Sequence, residues 1–302
     1  MTFNQLRAFL AVAETQALRA AARRLNVSQP AVSKAMRELE RQLDVCLFER
    51  HANGVVLTDY GHAFRRRASL LIEEMRRTHE EMDAIRHGTS ESLSIALSSA
   101  IALSVLPAAF EAFRQAMPRS QVHFSEGVMP MALAQLRDGS VDFVATHVLP
   151  GMVSEEFEVT HLFSTPVAVC ARKGHPLART RRLKKLVDAH WLAPGYAEEN
   201  GDVLRQLFSQ HGLPVPAQAV RCQSFTVALG LLAQTDTLSV LAEPMVRGTL
   251  NAQGIVALPL QDRMPTVAGI VVTRKGAALS RSAQLFVQCL RDAATPRMPS
   301  PV

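Results

Sequence analysis

The stretch from Ala17 to Leu47, ALRAAARRLNVSQPAVSKAMRELERQLDVCL, constrains this chain more tightly than any other. Its apolar residues Leu18, Ala21, Ala22 and Leu25 recur at three- and four-residue steps, stop at Asn26, and resume as Val32, Ala35, Met36, Leu39 and Leu43. That spacing predicts two short amphipathic helices. Asn26 breaks the first, and Ser28 is suited to cap the second, its hydroxyl satisfying an amide that the first turn leaves unpaired. Pro30 fits the same turn, where a missing N–H removes no helical bond. Upstream, Phe3, Leu6, Phe9, Leu10 and Ala13 form one face of a helix ending around Glu14 to Gln16, which predicts a three-helix core.

The second helix carries Gln29, Ser33, Arg37 and Arg41 at steps of four, opposite its apolar stripe, with Lys34 adjacent. Gln pairs with an adenine edge, Ser with several edges, and Lys or Arg with phosphate or guanine, so the helix is chemically equipped for a DNA major groove. A solvated helix face accounts for any one of these residues alone; the arrangement as a unit points to nucleic acid. Charge agrees. Residues 1–67 hold 11 Lys or Arg against 6 Asp or Glu, while the rest of the chain holds 22 against 21. Phosphate neutralisation supplies most nonspecific DNA affinity, so a basic first fifth suits a DNA-reading head on a body with another task.

Further along, His51-Ala52-Asn53-Gly54 reads as a tight turn between extended segments Cys46–Arg50 and Val55–Thr58. Taken together, Ala20 to Arg24, Ser28-Gln29-Pro30-Ala31-Val32-Ser33, Leu39-Glu40, Leu47-Phe48-Glu49-Arg50 and Leu57-Thr58 with Gly61 resemble the LysR-type transcriptional regulators. The resemblance is dense over about the first 65 residues and looser beyond. It implies a bacterial regulator of mixed α/β fold: an N-terminal winged helix-turn-helix, a long linker helix, and a C-terminal two-lobed effector domain like a periplasmic binding protein. It also implies DNA contacts from Ser28, Gln29, Pro30, Ser33, Lys34, Arg37 and the wing residue Asn53. Two positions depart from the family pattern. Asp44 stands where Gly is usual, at a position suited to left-handed backbone that Asp tolerates better than most residues. Asn53 stands where the wing often carries Arg, which predicts a weaker minor-groove contact.

Thr58 is placed to cap a helix from about Asp59 to His87, along which Phe64, Ala68, Leu71, Met75, Thr78, Met82 and Ile85 alternate steps of four and three. A heptad seam this narrow wants one partner helix. Its neighbours, from Arg65–Arg67 to Asp83, are charged, so a second copy of the chain is the economical partner, with Phe64, Leu71, Met75, Met82 and Ile85 as the dimerising residues. Packing on the second domain is the alternative. A homodimer, or a homotetramer as a dimer of dimers, would present paired reading helices to pseudo-palindromic double-stranded promoter DNA, with RNA polymerase a further partner.

Beyond a polar hinge the pattern alternates. Strands are predicted at Leu93–Leu97, Gln121–Ser125 and Asp142–Thr146, with helices at Ala100–Met117 and Met129–Asp138, the start of a parallel α/β sheet. A second block has extended Pro166–Ala171, helical Gly201–His211, extended Ala219–Cys222, helical Phe225–Gln234, extended Leu238–Leu241 and helical Glu243–Asn251. Thr266–Thr273 and Ser280–Arg291 are a last strand and helix returning to the first lobe. The divisions expected are 1–58 for the winged helix-turn-helix, 59–87 for the linker helix, 88–92 for the hinge and 93–294 for the effector domain. Within it, lobe I takes 93–163 and 266–294 and lobe II takes 164–265, leaving a Pro-rich tail at 295–302.

In open α/β sheets, ligands sit beyond the carboxyl ends of the strands. There the sequence delivers Ser98-Ser99 in the first lobe and Ser224-Phe225-Thr226 in the second. Each is a helix cap in its own right. Facing each other across a cleft, they would offer hydroxyls and free amides to an anion, and the family resemblance implies that positions matching Ser98, Ser224 and Phe225 line the co-inducer pocket. A small carboxylate or sulfonate, aromatic ones included, is the expected effector, with Met129 and Phe225 as apolar walls and Thr146, His147, Pro194 and Gly195 beside it. The rival is a redox switch between Cys170 and Cys222. A hydrolase is disfavoured, since the chain has no Gly-x-Ser-x-Gly elbow, no phosphate loop and no His-Glu-x-x-His pair. Four scattered cysteines give no zinc spacing, no cofactor is implied, and the lack of a long apolar run or signal-type core predicts a cytoplasmic protein without membrane contact.

Overall fold

A computed structural model describes residues 1–51, 54–87, 92–127, 129–149, 151–195 and 202–294, and within these the side chains of 50, 80, 81, 83–85 and 87 stand outside the description. The expected contacts at Asn53 and Ile85 therefore lie outside the described residues, as do most of the hinge and the tail. Contacts divide the chain into two units, one of residues 1–91 and 134–141 and one of 92–133 and 142–302.

The first unit opens with α1 (Phe3–Thr15), α2 (Leu18–Leu25) and α3 (Gln29–Leu43). The three-helix core forms as the apolar spacing requires, around buried Leu6, Phe9, Val12, Ala21, Val32, Met36 and Leu39. All three helices end on non-glycine residues in the left-handed region, Gln16 (φ 52°), Asn26 (φ 55°) and Asp44 (φ 53°), so the turn expected at Asp44 is kept. The wing follows as antiparallel β1 (Phe48–His51) and β2 (Gly54–Leu57), with His51 opposite Gly54. Gly54 (φ 145°) brings its backbone against the end of α1: a Cβ there would lie 2.8 Å from the Gln16 carbonyl oxygen, which accepts the Val55 amide at 2.9 Å. Glu40, from the far end of α3, accepts the Leu47 and Phe48 amides at 2.8 and 3.2 Å and so fixes where the wing starts.

The long helix α4 (Asp59–His87) begins under Thr58, whose hydroxyl accepts the Gly61 amide at 3.0 Å and donates to the Cys46 carbonyl at 2.7 Å. Its seam divides. Phe64 and Ala68 do not wait for a second chain: Ala68 is fully buried in the helix-turn-helix core, and the Phe64 ring meets Phe9 edge-on at 4.8 Å. Phe64, expected as a dimerising residue, is half-buried against the core of its own chain, because the first two turns of α4 close the core left open by α1. Leu71, Met75 and Met82 stay exposed. Arg77 is bound to Glu73 one turn earlier and donates to the Gly139 carbonyl at 2.5 Å.

The second unit is built on β3 (Ser92–Leu97), α5 (Ser99–Ser104), α6 (Leu106–Ala116), β4 (Gln121–Glu126), the first half of α7 (Met129–Asp138), whose residues from 134 onward belong to the first unit, β5 (Phe143–Val148), β6 (Phe157–Arg172), β7 (His190–Pro194), α8 (Val203–Ser209), β8 (Val220–Cys222), α9 (Phe225–Gln234), β9 (Thr237–Ala242), α10 (Glu243–Met245), β10 (Ile255–Ala257), β11 (Thr266–Arg274) and α11 (Arg281–Ala294). The strand order is β4-β3-β5-β11-β6-β9-β7-β8, with β10 also on β6. As expected, β3, β4 and β5 are parallel, and β11 returns beside β5. The helix α11 then closes the first half-core, where Phe286 packs on Phe113 and Phe143. A second half-core gathers on Trp191 and Phe208, in edge contact at 5.3 Å, with the indole N–H given to the Leu186 carbonyl at 2.9 Å.

Several expectations change. The extended segment at Pro166–Ala171 is only the far half of β6, whose first half pairs with β11 while its second half pairs with β9 and β10. Its two edges thus change partner strands midway. The helix expected over Ala100–Met117 is two, broken at Val105 by Pro107. A proline there cannot donate to the carbonyl four residues back, and that carbonyl, Leu103, takes the Thr249 hydroxyl at 2.9 Å instead. The helix expected over Glu243–Asn251 is short α10 followed by a wide turn at Val246–Leu250, distorted at Gly248 (φ −94°, ψ −108°). The strands β7 and β10, and a single 3-10 turn at Leu183–Leu186, had no periodic signal at their length.

Asp44→Gly is expected to raise the stability of the first unit by roughly 0.5–1 kcal/mol, because glycine removes the left-handed penalty at the end of α3. Thermal denaturation of the two proteins side by side checks the sign; an unchanged or lowered midpoint would refute the strain at this cap.

Candidate functional site

Two places in the chain gather the candidate functional side chains. On α3 the apolar side is packed into the core, and the opposite side is open. Ser28, Gln29, Pro30, Lys34 and Arg37 are exposed and Ser33 is half-buried. Ser28 is the cap, accepting the Ala31 amide at 3.3 Å, and Pro30 lies in the first turn. Arg41 is committed to Glu38 through contacts of 2.5 and 3.2 Å. Gln29, Lys34 and Arg37 make no side-chain hydrogen bond or salt bridge among the described residues, so their donors are available to an outside acceptor.

The second place is a cavity of about 280 Å³ within the second unit, at the lower end of the range for small-molecule sites (~300–1,000 Å³). Of the residues expected at an effector site, Ser98, Ser99, Met129, Thr146, His147, Pro194, Gly195 and Phe225 line it. Ser224 and Thr226 do not. Both are exposed, and the Ser224 hydroxyl is turned to the Val227 amide at 3.4 Å as the cap of α9. The two facing helix starts are also unequal: α9 has ten residues, whereas α5 has six, so the first lobe contributes hydroxyls more than a helix dipole. Ser98 accepts the Ile101 amide at 3.4 Å, which leaves its own O–H proton to donate.

The structure adds residues that sequence reasoning missed. Glu126 lines the cavity and accepts the Ser99 hydroxyl, and Arg221 and Asp202 line it as an ion pair at 2.5 Å. Gln223 is a further polar lining residue, and Leu149, Met152 and Met245 are among the apolar ones. The carboxyl-end rule that flagged Ser98 also covers these: Glu126 is the last residue of β4, one beyond the predicted strand, and Arg221 lies within β8.

Burial holds His147 down to a pKa of about 4, so the imidazole is neutral at pH 7. Its Nδ1 is inaccessible and has no partner among the described residues, and its ring meets Phe163 edge-on at 5.2 Å. That ring is seated by Gly269, where a Cβ would come within 2.5 Å of it. At the rival redox site, burial pushes the Cys170 thiol up to about 12, and its Sγ lies 3.5 Å from the Ser239 carbonyl. The thiolate that disulfide exchange requires is therefore scarce at neutral pH.

Comparison with known proteins bears on both places. The family model described as the LysR substrate binding domain matches residues 86–295, and that described as the bacterial regulatory helix-turn-helix protein of the lysR family matches residues 3–62. The chain belongs to the LysR family. This LysR-type DNA-binding transcriptional regulator is 28% identical over 297 residues to the HTH-type transcriptional regulator PcaQ of Agrobacterium fabrum, covering 97% of this chain and 94% of that protein. It is 26% identical over 301 residues to the regulator GbpR of Azospirillum brasilense, covering 99% of this chain and 88% of that one. In fold it is similar to the crystal structure of CbnR, a LysR family transcriptional regulator, with a TM-score of 0.69 at 24% identity over 98% of this chain and all of that one. No helix among the described residues of this LysR protein is long and apolar enough to cross a membrane.

The depressed His147 pKa has a stability consequence. In the unfolded chain His147 takes a proton below about pH 6.5, while in the folded chain it does so only near pH 4. Folding therefore loses free energy as pH falls through that window, by at most about 3 kcal/mol at pH 4. His147→Gln is expected to flatten this part of the urea-denaturation profile between pH 6.5 and 4, and superimposable profiles would show the imidazole to be solvated.

Proposed function

We propose that this LysR-family protein is a ligand-responsive regulator in which α3 enters the major groove of promoter DNA and the cavity takes a small carboxylate or sulfonate, aromatic ones included. The observation that carries the DNA half is the face of α3, where Gln29, Lys34 and Arg37 are uncommitted while Val32, Met36 and Leu39 are turned into the core. Gln29 in the first turn is the base-reading residue; Lys34 and Arg37 are phosphate contacts. The relative CbnR has been solved at full length in complex with its target DNA, which supports the same use of the matching unit here.

The exposed Leu71, Met75 and Met82 on α4 support pairing with a second copy, as a homodimer or a dimer of dimers, so that two reading helices meet two half-sites. For the effector, the Ser98 hydroxyl and the Arg221 guanidinium supply donors to an anionic head. Met129, Leu149 and Phe225 supply apolar walls that accept a ring. Ligand binding between the strand ends would favour one arrangement of the effector domain over another, and with it one spacing of the DNA-binding heads or one contact to RNA polymerase. The neutral, buried state of Cys170 favours this reading over a thiol switch.

Arg37→Ala is expected to weaken operator and random DNA alike and to lower the slope of log affinity against log salt by about 1. Gln29→Ala is expected to cost roughly 1–3 kcal/mol on the operator and little on random DNA. Fluorescence anisotropy across a salt series separates the two, and a proportional loss on both DNAs from both variants would refute the division of roles. Separately, Ser98→Ala is expected to weaken binding of a carboxylate effector several-fold by calorimetry, about 1 kcal/mol; unchanged affinity would remove Ser98 from the site.

A further inference from the structure

We propose that the cavity is built for a bipolar ligand, a small amino carboxylate whose ammonium is held by Glu126 and whose carboxylate is met by Arg221. The inference rests on reading the cavity as the effector site and narrows the effector's class.

The charges around the cavity decide that class. Among the described lining residues only Glu126, Asp202 and Arg221 are formally charged. Asp202 is fully engaged. One of its oxygens accepts the Leu204 and Arg205 amides at 3.0 and 3.2 Å, where it caps α8, and the other accepts from Arg221 at 2.5 Å, leaving the side chain 5% exposed. Arg221 uses one N–H in that pair and keeps the rest of its fork, with 35% of its side chain exposed, so it can hold a second carboxylate.

Glu126 has no such balance. Its one partner among the described residues is a hydroxyl, that of Ser99, and a hydroxyl stabilises a carboxylate without neutralising it. His147, which lines the same cavity, is kept neutral by burial and supplies no countercharge. The cavity therefore holds one carboxylate in excess. A plain anion entering it would be drawn to Arg221 and repelled by Glu126, both terms moderated by water because both side chains reach the surface. A ligand carrying its own ammonium turns that repulsion into a charge-assisted hydrogen bond. The walls of Met129, Leu149, Met152, Phe225 and Met245 suit an apolar side chain on the same molecule. The volume, about 280 Å³, has room for a single amino acid.

The test is calorimetric titration of the full-length protein with three matched sets: phenylalanine, leucine and methionine, each beside the acid lacking its amino group and the amine lacking its carboxyl. At least one amino carboxylate is expected to bind, and to bind ten-fold or more tightly than both of its truncated counterparts. Glu126→Gln, a neutral change of nearly equal shape, is expected to bring the amino carboxylate and its des-amino acid to within about three-fold of each other. If des-amino acids bind the unmodified protein as tightly as the amino acids do, the inference is overturned while the anion reading stands. If none of the nine gives heat at about 10 mM, both are overturned. Discrimination that survives Glu126→Gln overturns the role of Glu126. The comparison of probes on unmodified protein decides the ligand class even if the variant does not fold.

Discussion

The packing of one side chain, Phe9, holds the DNA-reading unit together. Its ring has no exposed surface and lies 5.1 Å from Phe48 at the start of the wing and 4.8 Å from Phe64 in the second turn of α4. Three elements far apart in sequence thus share one aromatic contact, worth more than its area alone because edge and tilted arrangements suit the ring quadrupoles. The orientation of α3 depends on it, since α3 rests on the same core through Val32, Met36 and Leu39. So does the separation of tasks along α4: its first turns are consumed inside the unit, and only what lies beyond Ala68 is left for a partner.

The second unit relies on continuity. The strand β6 runs sixteen residues, about 50 Å at the rise of an extended chain, and pairs with β11 in its first part and with β9 and β10 in its last. It is the thread on which two half-sheets are strung. The strand ends that deliver Ser98, Glu126 and Arg221 come from parallel strands of both half-sheets, which brings side chains more than a hundred residues apart to one cavity. The break between α5 and α6 serves the same place. Pro107 ends a helix early, and Thr249 repairs the carbonyl it orphans, tying the first half to the turn after α10.

The first unit was legible because its signals are periodic and local. Apolar spacing, the Ser28 cap, Pro30 and the left-handed Asp44 each identify a turn or a face without reference to distant residues. Much of the second unit was legible as strand and helix, but its site only in part. Ser98 and Phe225 were found through caps, and caps also drew in Ser224 and Thr226, whose hydroxyls and chain positions serve α9 and not the cavity. Glu126 was missed because the predicted β4 stopped at Ser125, and Arg221 because an arginine on a short strand carries no periodic mark. Phe64 shows a related ambiguity: a heptad position has the same spacing whether its partner is another chain or the core beneath it.

One consequence belongs to Gly269. Because it has no side chain, the Phe163 ring can sit close against β11, and the same ring meets the His147 imidazole edge-on at 5.2 Å. The seating of a ring against a cavity-lining imidazole therefore depends on a residue outside that lining. A single methyl at that notch would push the Phe163 ring aside and disturb its packing on His147, leaving every lining residue in place.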